Sequence, residues 1–210
     1  MKKIALIALI MMMALPAMAQ VTFGVRGGIG YASLIQKIDA SYRSGGRFAY
    51  SIGGLMEVPL YKALSLCPEV SFVSQGGSFY SNKESSGIPY QYSNCHYYSV
   101  RIPINLAYTF TISGMHLGVF AGPALDYSFA GKIKTKEENR TLQFGDTKNA
   151  DLKPFDLGVN IGLMAEYKNV FFSINAVCGT LDRRSIRSEG ESAVYQNNVL
   201  FSMGYFFRRK

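Results

Sequence analysis

Apolar and polar residues alternate with period two through most of this chain. In residues 155–167 the odd positions are Phe155, Leu157, Val159, Ile161, Leu163, Ala165 and Tyr167. The even positions are Asp156, Gly158, Asn160, Gly162, Met164 and Glu166. A β-strand sends successive side chains to opposite faces, so this segment predicts a strand with one apolar and one mostly small or polar face. Residues 98–110 repeat the pattern with Tyr98, Val100, Ile102, Ile104, Leu106, Tyr108 and Phe110 on one face, and residues 115–129 repeat it again. The periodicity predicts eight strands: 21–32, 47–58, 64–75, 97–110, 115–129, 155–167, 170–179 and 194–207.

The two faces differ in a way that fixes their surroundings. No position on the apolar faces is charged, and Asn197 is the clearly hydrophilic exception. The opposite faces are rich in Gly, Ala and Ser, and their charged members are Arg26, Glu57, Glu69, Arg101, Asp126, Asp156 and Glu166. None is Lys, whereas a water-facing surface favours Lys. Small side chains suit the narrow interior of an eight-stranded barrel. The apolar face then lies outside, against lipid, where Lys or Arg costs about 2–4 kcal/mol near the midplane. The predicted fold is all-β: an eight-stranded antiparallel up-and-down transmembrane β-barrel.

The links between strands agree. Residues 59–63, 111–114 and 168–169 are short connections, while 33–47, 76–96, 130–154 and 180–193 are long. Short periplasmic turns alternating with long outer loops characterise outer-membrane barrels, and both termini then fall on the periplasmic side. Tyr98 and Tyr108 lie ten residues apart, about 25 Å along the normal of a tilted strand, which matches the height of the apolar band. With Tyr31, Tyr127, Tyr167, Tyr195 and Tyr205 they supply interfacial girdles in a chain without Trp.

The N-terminus explains how the chain reaches that membrane. Lys2 and Lys3 precede an apolar run over 4–15, and Ala17-Met18-Ala19 is a small-x-small cleavage site. This reads as a signal peptide, residues 1–19, cleaved to leave a barrel domain over 20–210. The run is too short to span a bilayer as a helix. The formal charge of +8, from 22 basic and 14 acidic residues, raises a nucleic-acid reading. The charges fall on separate surfaces of a barrel, so that reading is withdrawn. Cys67, Cys95 and Cys178 follow no metal-ligand spacing; they read as buried small residues, with one disulfide open to them. No cofactor, nucleotide or metal motif is present.

Several segments resemble a known group. They are Phe23-Gly24-Val25-Arg26-Gly27-Gly28, Val119-Phe120-Ala121-Gly122-Pro123, Asp156-Leu157-Gly158-Val159-Asn160-Ile161-Gly162 and Phe201-Ser202-Met203-Gly204-Tyr205-Phe206-Phe207. Together they resemble the PorT-like outer-membrane β-barrel family. The resemblance implies an eight-stranded barrel in the outer membrane, inserted by the outer-membrane assembly machinery, which reads an aromatic C-terminal strand. Arg208-Arg209-Lys210 follows the last aromatic here, a departure from that form. Some family members are linked to protein secretion, a role that barrel resemblance does not carry by itself.

Four sets of residues carry candidate roles. The lumen charges, Arg26 and Arg101 among Glu57, Glu69, Asp126, Asp156 and Glu166, are expected to form a salt-bridged plug, because buried charge is costly unless paired. Lys132, Lys134, Lys136 and Arg140 in the loop 130–154 are candidates for holding lipid phosphates of the outer leaflet or a protein partner. The alternative for that loop is a solvated hairpin in which Ile133, Thr135 and 141–144 continue the strands. A lipid-modifying enzyme would draw on His96 near Ser99, or on His116, but strand parity puts His96 and Ser99 on opposite faces. A soluble periplasmic ligand-binding barrel is the rival fold. The expected role is structural or interaction-based, linked to secretion or envelope integrity, with no catalytic site.

Overall fold

The computed structural model describes residues 21–38, 41–43, 45–81, 91–134, 139–147, 149–185 and 193–208. The expected signal peptide and Lys136 lie outside the described residues. Eight long strands form the wall: β1 (Thr22–Ile38), β3 (Gly46–Tyr61), β4 (Leu64–Ser81), β5 (Gln91–Ile112), β6 (Met115–Lys134), β8 (Phe155–Tyr167), β9 (Val170–Gly179) and β10 (Val194–Phe206). Two short strands, β2 (Ser41–Arg43) and β7 (Asn139–Thr141), extend β1 and β6 at the loop end.

Each long strand pairs antiparallel with its sequence neighbour, and β10 pairs with β1 to close the sheet. Closure satisfies every strand edge, which hydrocarbon requires. Following paired residues around the sheet from Phe23 of β1 brings the path back at Ser33, ten residues further along β1. With eight strands, that stagger gives a tilt of about 40° and a backbone radius of about 8 Å. An interior of that width is filled by side chains.

The predicted faces hold. Ile29, Ile52, Ile161, Leu163, Phe201 and Met203 point outward and are more than half exposed. The opposite face is buried and carries Arg26, Glu69, Arg101, Asn105, Asp126, Asn160, Asn175 and Ser202. A soluble ligand-binding barrel requires the reverse arrangement. Some inner glycines create room: a Cβ on Gly204 or Gly162 would collide with the Phe171 or Phe120 ring. The periplasmic turns tighten to two residues, at 62–63, 113–114 and 168–169. Lys62, Ser113, Gly114 and Lys168 adopt positive φ there, matching the twist of the flanking strands.

Three expectations need correction. The strands run well past the predicted outer ends; β5 has 22 residues, twice the 9–11 that cross a bilayer. Cys178 is exposed on the outer wall rather than buried, and all three cysteines are free. The loop 130–154 is neither wholly solvated nor a simple strand continuation. Leu142, Phe144 and Leu152 fold inward and pack with Leu34, Cys95, Tyr97, Ile133 and Val194 as an apolar cluster in the barrel mouth.

That cluster depends on one irregularity. Between Tyr98 paired with Ala130 and Ser99 paired with Ser128, β6 carries Phe129 as an extra residue. A bulge of one residue reverses the alternation beyond it. Ile133 therefore turns inward and is buried, while Lys132 and Lys134 turn outward and are exposed.

Candidate functional site: the charged lumen and the outer rim

The expected lumen charges are brought together in three tiers. At the periplasmic end, Glu57 and Glu166 face each other across the opening. Arg208, just past β10, donates to Glu57 at 2.7 Å and to both Glu166 oxygens at 2.9 Å. Its guanidinium also lies 4.9 Å from the centre of the Phe206 ring. Phe206 packs with Phe171, Leu55 and Met164, an apolar layer just inside.

In the middle tier, Arg26 and Glu69 form a buried ion pair at 3.1 Å. Asn175 donates to Asn160, and Asn160 to Asn105, in a chain of amides across the interior at 2.9 and 2.8 Å. The void beside this layer is about 30 Å³, room for roughly one water molecule.

The outer tier is the densest. Arg101 Nε donates to both Asp126 oxygens at 3.0 Å, and Arg101 Nη2 donates to Gln75 Oε1 at 2.8 Å. Gln75 also accepts from Asn198 and donates to Ser99, which bonds Ser128. Arg183, from the loop after β9, is fully buried and donates to Ser128 at 2.8 Å. It lies over the Tyr97 ring and close enough for its charge to act on Asp156, which pairs in register with Asp126. Tyr97 donates to Gln196 at 2.5 Å, closing the tier under the apolar cluster of the mouth.

Two functional arginines are missing from the sequence reading. The lumen list holds two arginines against five carboxylates, and that imbalance was the signal that further cations had to come from elsewhere. Arg208 comes from the tail and Arg183 from an outer loop, segments without the period-two pattern that identified the rest.

The loop candidates separate. Lys132 and Lys134 stand together on the outer wall. Arg140 is instead bound to Asp151 through two bonds of 2.7 and 2.5 Å. Burial by itself pushes the Asp151 carboxyl up, but the Arg140 bonds and the Gln143 amide outweigh it and hold the carboxyl below its usual value. This pair ties the two limbs of the 139–153 segment together.

His96 and Ser99 do lie on opposite faces. His96 Nε2 instead contacts the Ser74 hydroxyl at 2.8 Å on the outer side. Among the described residues no carboxylate orients this dyad. Burial, and then the Arg47 charge beside it, keep the imidazole pKa below its usual value. His116, at the periplasmic end, bonds Thr111. No group of three or more metal-ligating side chains is present among the described residues.

A closed, lipid-facing antiparallel barrel with a charged interior defines the class as an integral outer-membrane barrel. Residues 16–179 match the family model described as outer membrane protein beta-barrel domain, and the chain belongs to that family. Its location is the outer membrane. No curated protein matches the chain by sequence. Similar solved structures include Neisserial surface protein A (11% identity, 87% of this chain and 96% of that one, TM-score 0.49). Another is Ail of Yersinia pestis, crystallised with the heparin analogue sucrose octasulfate (13% identity, 88% and 99%, TM-score 0.42). The outer membrane protease OmpT of Escherichia coli is a third (10% identity, 89% and 97%, TM-score 0.43).

Proposed function

We propose that this protein is a non-conducting outer-membrane barrel with a structural or interaction role, its lumen closed by the ion-paired network and its work done by the outer rim. The observation that carries the reading is the outer tier. A continuous set of bonds from Asn198 through Gln75, Ser99 and Ser128 to Arg183, with Arg101 and Asp126 branching from Gln75, crosses an interior only about 8 Å in radius. Each charge there has a bonded or neighbouring counter-charge, so opening a path for ions means breaking pairs that the low-dielectric surroundings hold tightly.

The outer segments 139–147, 149–154 and 180–185 are anchored by Leu142, Leu152 and Arg183. A partner would therefore meet a preformed surface, which lowers the ordering cost of binding. The setting proposed for that surface is protein secretion or envelope integrity, a role that the barrel resemblance does not carry by itself and that a deletion strain tests. Planar-bilayer recording tests the closed lumen. The expected result is no stepwise conductance for the folded protein, and steady channels of porin size overturn the reading. A deletion strain with altered secreted proteins or detergent sensitivity supports the envelope role. An unchanged strain counts against it.

A further inference from the structure

Above the membrane band, the outer wall of β5 and β6 carries a recess of about 480 Å³ lined by Arg47, Asn94, His96, Lys132, Lys134 and Asn139. We propose that this recess binds the phosphate of an outer-leaflet lipid. The proposal does not depend on whether the lumen is closed.

Position is the first argument. Directly below the recess, Phe72 stacks on Tyr98 at 5.3 Å and meets Phe129 at 6.2 Å. Tyr50 is hydrogen-bonded to Tyr98 beside them. This aromatic group is the outer girdle, where hydrocarbon gives way to headgroups. His96 and Lys132 pair two residues above that level, and Asn94 and Lys134 four residues above. At the barrel's tilt those steps are about 5 and 10 Å, the depth at which lipid headgroups lie.

Charge is the second argument. Three cations, Arg47, Lys132 and Lys134, line the recess, and among the described residues no carboxylate does. Among the described residues, none forms an ion pair with either lysine. The adjoining turn 135–138 holds Lys136, Glu137 and Glu138 and lies outside the described residues. The Arg47 guanidinium reaches the Asn94 oxygen at 2.7 Å, while its buried Nε has no bonding partner among the described residues. On β4, between them, the positions paired with Tyr98, His96 and Asn94 are the small residues Ser74, Gly76 and Ser78.

Chemistry is the third. Two lysines and an arginine fork form a donor set for a phosphate, which accepts several charge-assisted bonds at once. The neighbouring amides of Asn94 and Asn139 add donors without charge. The aromatic band immediately beneath suits acyl chains, so a headgroup phosphate joined to such chains satisfies both levels together. A protein partner would have to enter the interfacial layer to reach the same atoms.

The test uses the full mature chain folded in detergent and in phosphatidylcholine nanodiscs. The probes are bisphosphorylated lipid A, fully dephosphorylated lipid A and inorganic phosphate, with retention read by native mass spectrometry. The expected result is retention of the phosphorylated lipid. In the double variant Lys132→Gln/Lys134→Gln, retention falls about tenfold or more while heat-modifiable migration is kept. Lys62→Gln/Lys168→Gln, at the periplasmic turns, leaves it unchanged. Equal retention of the dephosphorylated lipid, unchanged binding by the first variant, or an equal loss in the second overturns the proposal. Inorganic phosphate binding as tightly as the lipid overturns the lipid assignment.

Discussion

The barrel at membrane level and the barrel above it are built from the same strands with opposite polarity. Within the band, β5 presents Ile102 and Ile104 outward and holds Arg101 and Asn105 inside. Four to seven residues beyond Arg101, it presents Asn94 and His96 outward and buries Cys95 and Tyr97. On β6, Leu125 faces out and Asp126 in, but beyond the bulge Lys134 faces out and Ile133 in. The solvent outside the wall changes from hydrocarbon to water, and the preferred outer residues change with it. The lower region is held together by paired charges, and the upper by an ordinary apolar core. Asn197 fits this division: it lies in register with Ser33 of β1, toward the outer end.

The largest expected effect tests the lower region. Arg101→Met leaves Asp126 buried without its partner and should cost about 3–5 kcal/mol, whereas Arg101→Met/Asp126→Leu should recover most of that loss. Urea unfolding in vesicles measures both, and equal losses in the single and double variants would refute the pairing. Ile161→Lys, at mid-strand on the lipid face, should cost about 2–4 kcal/mol in the same assay. Thr141→Lys, on the outer wall beside Lys132, should cost almost nothing. A similar penalty at both places would erase the distinction between the two regions.

Leu152→Ala should loosen the mouth cluster by about 2 kcal/mol or more and expose 139–153 to protease, while the membrane-level barrel keeps its heat-modifiable migration. Loss of the whole barrel would show that the two regions fold as one unit. The smallest effect concerns Asp151. Its folded-state pKa is depressed, so its contribution is complete above the ordinary carboxylate value, about 4, and is lost as pH falls through the lower folded value. Arg140 is 43% exposed, which limits the contribution to under about 1 kcal/mol. Amide protection in 139–153, taken relative to the intrinsic exchange rate at each pH, should be flat from pH 5 to 8 and fall below pH 4, with Asp151→Asn abolishing that acid step.

Eight strands, their faces and the alternation of short and long links were legible because each is written locally, in period-two patterns and turn residues. The lumen residues were legible for the same reason: Arg26, Glu69, Arg101 and Asp126 sit at positions whose parity already puts them inside. Their partners were only partly so. Which carboxylate meets which arginine depends on a stagger of ten residues around the closed sheet, a property of no single strand.

What the sequence by itself determined is the inside-out barrel and its membrane, because alternation is counted along the chain and lipid tolerates no charge on the outer face. The tertiary structure decided the rest. Arg208 and Arg183 enter the lumen from unpatterned segments, drawn to carboxylates that only closure brings within reach. One extra residue at Phe129 turns Ile133 into the mouth and swings Lys132 and Lys134 onto the wall. A bulge is a relation between two strands, so its effect on parity is absent from the sequence of either one.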